Sequence, residues 1–293
     1  MLVFNCTRAT AEFFTLTDKG DKIPPLAPAP EKAIAESLQA SSRQNTSTEK
    51  DIETAIQPDS QWHWLVHTIK IKRKNVVILM DYHSRFAMTF TGLKKGDDHG
   101  FLKMFERHLR FHIRELLPQV ISDPYIINTS FAQYGHCHAG HVFYRRGDRS
   151  VQSHINDVGW HIEMTADEMG ELPAGIDLIA FDCYINNTLR SRKGEKNYFV
   201  PLQAFLHQWL CRYSGLNRAQ ADKRIKELQE KEKARYQAMH NSMFDVVADS
   251  IEAGQITSEV EAMLTDRLND KPATGDANNV IQVDFAKKNL KPS

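Results

Sequence analysis

The sequence predicts an α/β fold: a small, mostly antiparallel sheet with packed helices, followed by a C-terminal helical extension. Three observations carry that expectation. From Trp62 onward, Leu65, His67, Ile69 and Ile71 alternate as on a half-buried strand. Val76-Val77-Ile78-Leu79-Met80 is an unbroken apolar run of strand length, suited to a central strand covered on both faces. Over 100–117, Leu102, Phe105, Leu109, Ile113 and Leu116 recur at helical spacing before Pro118 ends the pattern.

The remaining elements follow in order. Residues 1–7 read as a strand and 9–14 as a short helix. At Lys19 the composition changes to Pro, Ala, Ser, Thr and Gln, with too few apolar residues to offset ordering entropy as far as about Ser60. That stretch is expected to be a flexible insertion with a transient helix at 31–38. Lys72-Arg73-Lys74-Asn75 reads as a turn, and Phe86 to Phe90 as a further strand. A loop-rich stretch is expected up to Gly147. Asp148 can then cap a helix whose buried stripe is Val151, Ile155, Val158 and Ile162. Ile176 to Ile185 is a strand candidate, and 201–213 a helix with Pro201 at its start. After Gly215, residues 217–253 read as a long polar helix, and Ser258 with Glu261 as a capping box opening a short one. In the tail, Ile281, Val283 and Phe285 alternate as in an edge-strand peptide. The domains expected are a core of 1–18 plus 61–215, the 19–60 insertion, a helical extension over 216–268 and a disordered tail over 269–293.

With 293 residues, 41% of them hydrophobic and 25% charged, the chain suits one or two folded domains and excludes collagen-like or wholly disordered classes. Thirty-seven basic residues balance 37 acidic ones, short of the balance that marks many nucleic-acid binders. Cys6, Cys137, Cys183 and Cys211 form no CxxC pair and read as reduced thiols. No apolar run serves as a signal peptide or a bilayer span. A cytoplasmic protein with no membrane partner is expected.

The pattern around Trp64 is specific enough to compare. Asn5-Cys6-Thr7 forms a leader, and Trp64, Arg73-Lys74, Val76 to Met80, Asp81, Arg85, Gly92 and Leu93-Lys94-Lys95 follow in order. Arg149-Ser150-Val151-Gln152-Ser153-His154-Ile155-Asn156-Asp157 is similar to a family pattern Arg-Ser-Val-Leu-Gly-Ser-Met-Asn-Asp, with Ser153 where the family has Gly. Over 5–7 and 64–209 the chain resembles a bacterial family of short α/β proteins catalogued as domain of unknown function number six-nine-three-three. The resemblance implies a cytoplasmic prokaryotic α/β domain and supplies no chemistry.

Among chemically capable groups, His136-Cys137-His138-Ala139-Gly140-His141 places three imidazoles and a thiol in six residues. His154, Asp157 and His161 would share one helix face. Together His136, His138, His141, His154 and His161 are candidate ligands for zinc or another divalent metal, since such ions take imidazole, thiolate and carboxylate. The spacing matches no standard metal signature, and a polar loop beside a hydrogen-bonded helix face explains it equally. His108 and His112 have zincin spacing without that motif's Glu, so a structural role is expected. Arg149 and Ser150, in the first turn of their helix, could hold a phosphate or carboxylate. Asn156 and Asp157 could extend that site or tie the helix to a loop. Lys103, Arg107, Arg110 and Arg114 line one helix face, where they could track phosphates or remain solvated.

No catalytic motif is assembled. The leading expectation is a non-enzymatic binding or regulatory module for a macromolecular partner, protein or nucleic acid. A metal-dependent hydrolase built on the histidines is the enzyme alternative. A homo-oligomeric scaffold assembled through 217–268 is the structural one.

Overall fold

A computed structural model describes residues 1–19, 21–31, 34, 61–192 and 197–252. The helix expected at 31–38, the capping box at Ser258 and the alternating tail at 281–285 fall largely or wholly outside the described residues. The chain divides into two compact units, residues 1–229 and 230–293.

The strands are β1 (Leu2–Cys6), β2 (Leu16–Asp18), β3 (Asp21–Ile23), β4 (Trp62–Ile71), β5 (Lys74–Asp81), β6 (Ala87–Thr91) and β7 (His141–Arg145). The helices are α1 (Arg8–Phe14), α2 (Asp98–Leu116), α3 (Pro124–Cys137), α4 (Arg149–Met169), α5 (Ile176–Asn187), α6 (Pro201–Tyr213) and α7 (Arg218–Glu252). The expected α/β class with a helical extension is the one observed. Its main sheet is mixed, in the order β6-β5-β4-β1-β7. The β4-β5 and β5-β6 pairs are antiparallel, whereas β1 lies parallel to both β4 and β7.

Local chemistry sets the element boundaries. The β4–β5 hairpin turns on Lys72 and Arg73, both at positive φ (47° and 66°), as a two-residue turn between right-twisted strands requires. Asp97, Asp123 and Asp148 each accept backbone N–H bonds at the start of α2, α3 and α4. Gly170, in the left-handed region at φ 79°, ends α4. At Gly159 a Cβ would come within 3.1 Å of Ile69 Cδ1, so glycine lets α4 lie this close to the sheet without Ile69 shifting.

Two cores result. On one face Phe4, Trp62, Trp64 and Leu79 meet Phe101 and Phe105 of α2, Tyr134 of α3, and Phe205 and Trp209 of α6. Phe86 and Phe205 stack there with centroids 4.1 Å apart. On the other face Leu65, Ile78 and Met80 meet the expected stripe of α4 (Val151, Ile155, Val158, Ile162) together with Leu178, Phe181 and Ile185 of α5.

Two expectations are corrected. The segment 176–185 is helical: Leu178, Phe181, Asp182 and Ile185 are its buried positions, at i, i+3, i+4 and i+7. It also carries exposed Ile176 and Tyr184, which blur the amphipathic signal and leave a short apolar run equally compatible with a strand. The stretch before Gly147 holds α3 and β7 rather than loops. Helix α3 opens with Asp123 as cap and Pro124 at its first position, and its buried side is only Ser130, Tyr134 and Cys137. Residues 21–31, at the start of the expected insertion, supply β3 and a bridge from Ala27 to Tyr144 on the outer edge of β7.

Helix α5 closes the opposite edge of the sheet. Asn186 Oδ1 accepts from Ala87 N at 2.7 Å, and Asp182 accepts from Thr89 N at 3.0 Å and Thr89 Oγ1 at 2.7 Å. Both sheet edges are thus partly covered by other parts of the chain. The first turns of α7 belong with the core: Ala221 and Leu228 are buried in the larger cluster.

The buried carboxylate of Asp182 faces His112 Nε2 at 3.5 Å. Burial pulls the His112 pKa down, but hydrogen bonding and charge from Asp182 and Cys183 outweigh it and hold it at about 9. Burial also raises the Asp182 carboxyl. Both shifts make the folded state bind more protons than the unfolded one, so stability must fall as pH rises. The His112 contribution is complete below its ordinary 6.5 and lost as pH passes about 9. Urea unfolding should show a loss on the order of 2 kcal/mol across that window, and His112→Gln should flatten it. A wild-type stability that rises with pH over the same range would contradict the assignment.

Candidate functional site

The start of α4 and the segment after α5 border an open cleft of about 650 Å³. Asp148, Arg149, Ser150, Ser153, His154 and Ser191 line it. Asp148 Oδ1 accepts from Ser150 N and Val151 N, so the cap consumes the first free amides of α4, and its Oδ2 accepts from the Tyr82 hydroxyl at 3.2 Å.

Two buried arginines lie beneath residues that line this cleft. Arg85, held at φ 60° in the turn after β5, donates through Nη1 to the Tyr82 carbonyl and through Nη2 to Ser150 Oγ at 3.4 Å. Arg190 donates through Nη1 to Asp157 Oδ2 at 3.2 Å and lies 3.4 Å from His154 Nδ1. They are only 5% and 4% exposed, yet Arg85 Nε and Arg190 Nε and Nη2 have no hydrogen-bond partner among the described residues. Burial lowers both guanidinium pKa values, and the neighbouring Arg192 lowers that of Arg85 further. Burial first, then Arg190 and Arg85, bring His154 down to about 4, so it is a neutral acceptor at neutral pH. Arg192 itself donates to the His83 carbonyl and stacks over Phe199 at 4.1 Å. Buried cations normally have a full set of acceptors, and among the described residues these do not.

The residues expected to act together are dispersed. Arg149, exposed, and Ser150 line the cleft at the start of α4. Asp157 ties α4 to the segment after α5 through Arg190, while Asn156 points to a second recess with Thr7, Arg8, Glu12, His67 and Gln152. Lys103, Arg107, Arg110 and Arg114 are exposed along α2, on the opposite face of the sheet from the cleft. Arg110 is paired there with Glu106 at 3.1 Å and lies over Tyr134.

The histidines do not form a ligand set. His136 is exposed near the end of α3, His138 is buried at its C-cap, and His141 opens β7 against Phe143. His138 Nε2 lies 2.5 Å from the Tyr213 hydroxyl among Trp62 and Tyr134, and burial above all lowers its pKa to about 3. His154 and His161 belong to α4 on the other face of the sheet. Among the described residues no three His, Cys, Asp or Glu side chains are grouped to hold a metal ion. His108 is a core residue against Phe90. No described helix is long and apolar enough to cross a membrane.

Arg85 and Ser191 were absent from the sequence-derived site. The signal for Arg85 was its place in the family pattern, which could not show that the turn after β5 lies against the start of α4.

If His138 is a packing residue, His138→Ala should cost about 2–3 kcal/mol in chemical denaturation, and His141→Ala should stay within about 0.5 kcal/mol. Equal losses in the two, each reversed by added zinc, would point instead to shared metal ligation.

No curated protein and no solved structure matches the chain. A family model described as a domain of unknown function, DUF6933, matches residues 32–204. The match covers more than half of the chain and takes in β4 through α5 together with the cleft; it begins after β1, the strand between β4 and β7. On that coverage the chain belongs to the DUF6933 family.

Proposed function

We propose that this protein is a non-enzymatic binding module that holds an anionic group, phosphate or carboxylate, in the cleft at the start of α4. The observation that carries the reading is the pair of buried arginines, Arg85 and Arg190, which contact the cleft residues Ser150 and His154 from beneath and keep donors that no described residue fills. Placing two guanidinium groups in low dielectric near a third, Arg192, is unfavourable unless negative charge compensates. Asp157 answers part of Arg190, and Asp81 and then Asp148 offset part of Arg85, Asp148 being engaged as well by its cap amides and Tyr82. An oxyanion would accept the remaining charge-assisted bonds, for which the planar guanidinium fork is well matched.

The cleft has cations, hydroxyls and a neutral imidazole but no assembled nucleophile and base, which favours binding over turnover. The exposed basic face of α2 is a separate surface, since the sheet stands between it and the cleft. Partner recognition is therefore assigned first to the arginine cleft.

The test is calorimetric titration of the full chain with inorganic phosphate and with acetate. Binding of at least one anion is expected, weakening as salt is added and falling about tenfold or more in Arg190→Gln and in Arg85→Gln. Absence of binding by either anion, or affinities unaltered in both variants, would overturn the reading.

A further inference from the structure

Beyond the cleft, the exposed side of α4 leads to a group of aromatic rings. His161 follows His154 by seven positions, two helical turns on one face and about 10 Å along the axis. Asp157 lies between them, bound to Arg190 on one side and 3.9 Å from His161 Nε2 on the other. The His161 ring packs against Trp160 at 4.9 Å and against Tyr184 of α5 at 6.0 Å. Trp160 is 47% and Tyr184 57% exposed, high values for rings flanking a charged cleft. In sequence order along α4, the surface presents buried cations with hydroxyls, then a carboxylate, then planar rings.

We propose that the anion held in the cleft is the phosphate chain of a nucleoside polyphosphate, with its base stacked on the His161, Trp160 and Tyr184 rings. This rests on the reading of the cleft as an anion site. Exposed aromatic rings accept any base through its π-face. The exposed carboxylate of Asp157 stands between the two subsites, where it can accept from sugar hydroxyls, the role a carboxylate commonly takes toward ribose.

Two features of the surface narrow the ligand class. Past the rings, α4 exposes Glu163, Asp167 and Glu168, which would repel the next phosphates of a continuing strand. A ligand of one nucleotide unit avoids them. A phosphorylated peptide would gain most by adding to a sheet edge, but Asp182 and Asn186 occupy amides of β6 and Ala27 bridges to β7.

The test compares inorganic triphosphate with adenosine, guanosine, cytidine and uridine triphosphates on the full chain by calorimetry. At least one nucleotide should bind about tenfold more tightly than triphosphate. Tyr184→Ala and His161→Ala should each erode that advantage while leaving triphosphate affinity unchanged, with circular dichroism confirming the fold. Arg190→Gln should weaken both classes of ligand. Equal affinities for nucleotides and triphosphate would overturn the base subsite while leaving the anion cleft standing. No binding of either would overturn both. Tighter binding of a single-stranded oligonucleotide or a phosphotyrosyl peptide than of every nucleotide would overturn the choice of ligand.

Discussion

Burial of β1, β4 and β5 on both faces is the constraint from which the rest of the molecule follows. Val76 to Met80, Trp64 to Val66 and Leu2 to Cys6 are all buried, so helices must cover each side of the sheet. The aromatic core takes α2, α3 and α6, and the aliphatic core takes α4 and α5. Once α4 lies on the aliphatic face, its length is spanned by fixed contacts. Asp148 meets Tyr82 at one end, and Lys72 Nζ donates to the Ala166 carbonyl at 2.7 Å at the other. The first turn of α4 is thereby held against the turn that carries Arg85.

Closure of the sheet edge contributes directly to the cleft. Helix α5 runs beside β6 because Asp182 and Asn186 satisfy amides that an edge strand would otherwise expose. The segment leaving α5 then carries Arg190 back across α4, where Phe199 and Arg190 exchange backbone bonds of 2.9 Å and Asp157 holds the guanidinium. Arg85, Arg149 and Arg190 come from three separate places in the chain: the turn after β5, the first turn of α4 and the segment after α5. Their convergence concentrates positive charge in a chain with no net charge. A neutral composition therefore conceals a local concentration of positive charge.

The histidines illustrate the opposite outcome. Density in sequence suggested a metal site, yet the turn at 138–140 sends His136, His138 and His141 to three different environments. His138 fills an aromatic core as a neutral ring, while the family-pattern residues Arg149, Ser150 and Asp157, spread along one helix, all serve the same region. Spacing along a chain becomes spacing in space only where one regular element connects the residues.

What the sequence determined by itself was the α/β class, the hairpin at Lys72-Arg73, the buried stripe of α4 with its Asp148 cap, and α6 from its opening proline. These are local properties, set by periodicity, capping and turn chemistry. The helical state of 176–187 was hidden because a short apolar run lacks a decisive period, and the parallel placement of β1 because pairing over long separations leaves no local mark. The cleft was decided only by tertiary structure. Arg85, Arg149 and Arg190 are distant in sequence, and their shared surroundings depend on how α4 and α5 pack on the sheet. Burial of the Arg85 and Arg190 charges is a property of that packing, not of any segment read alone.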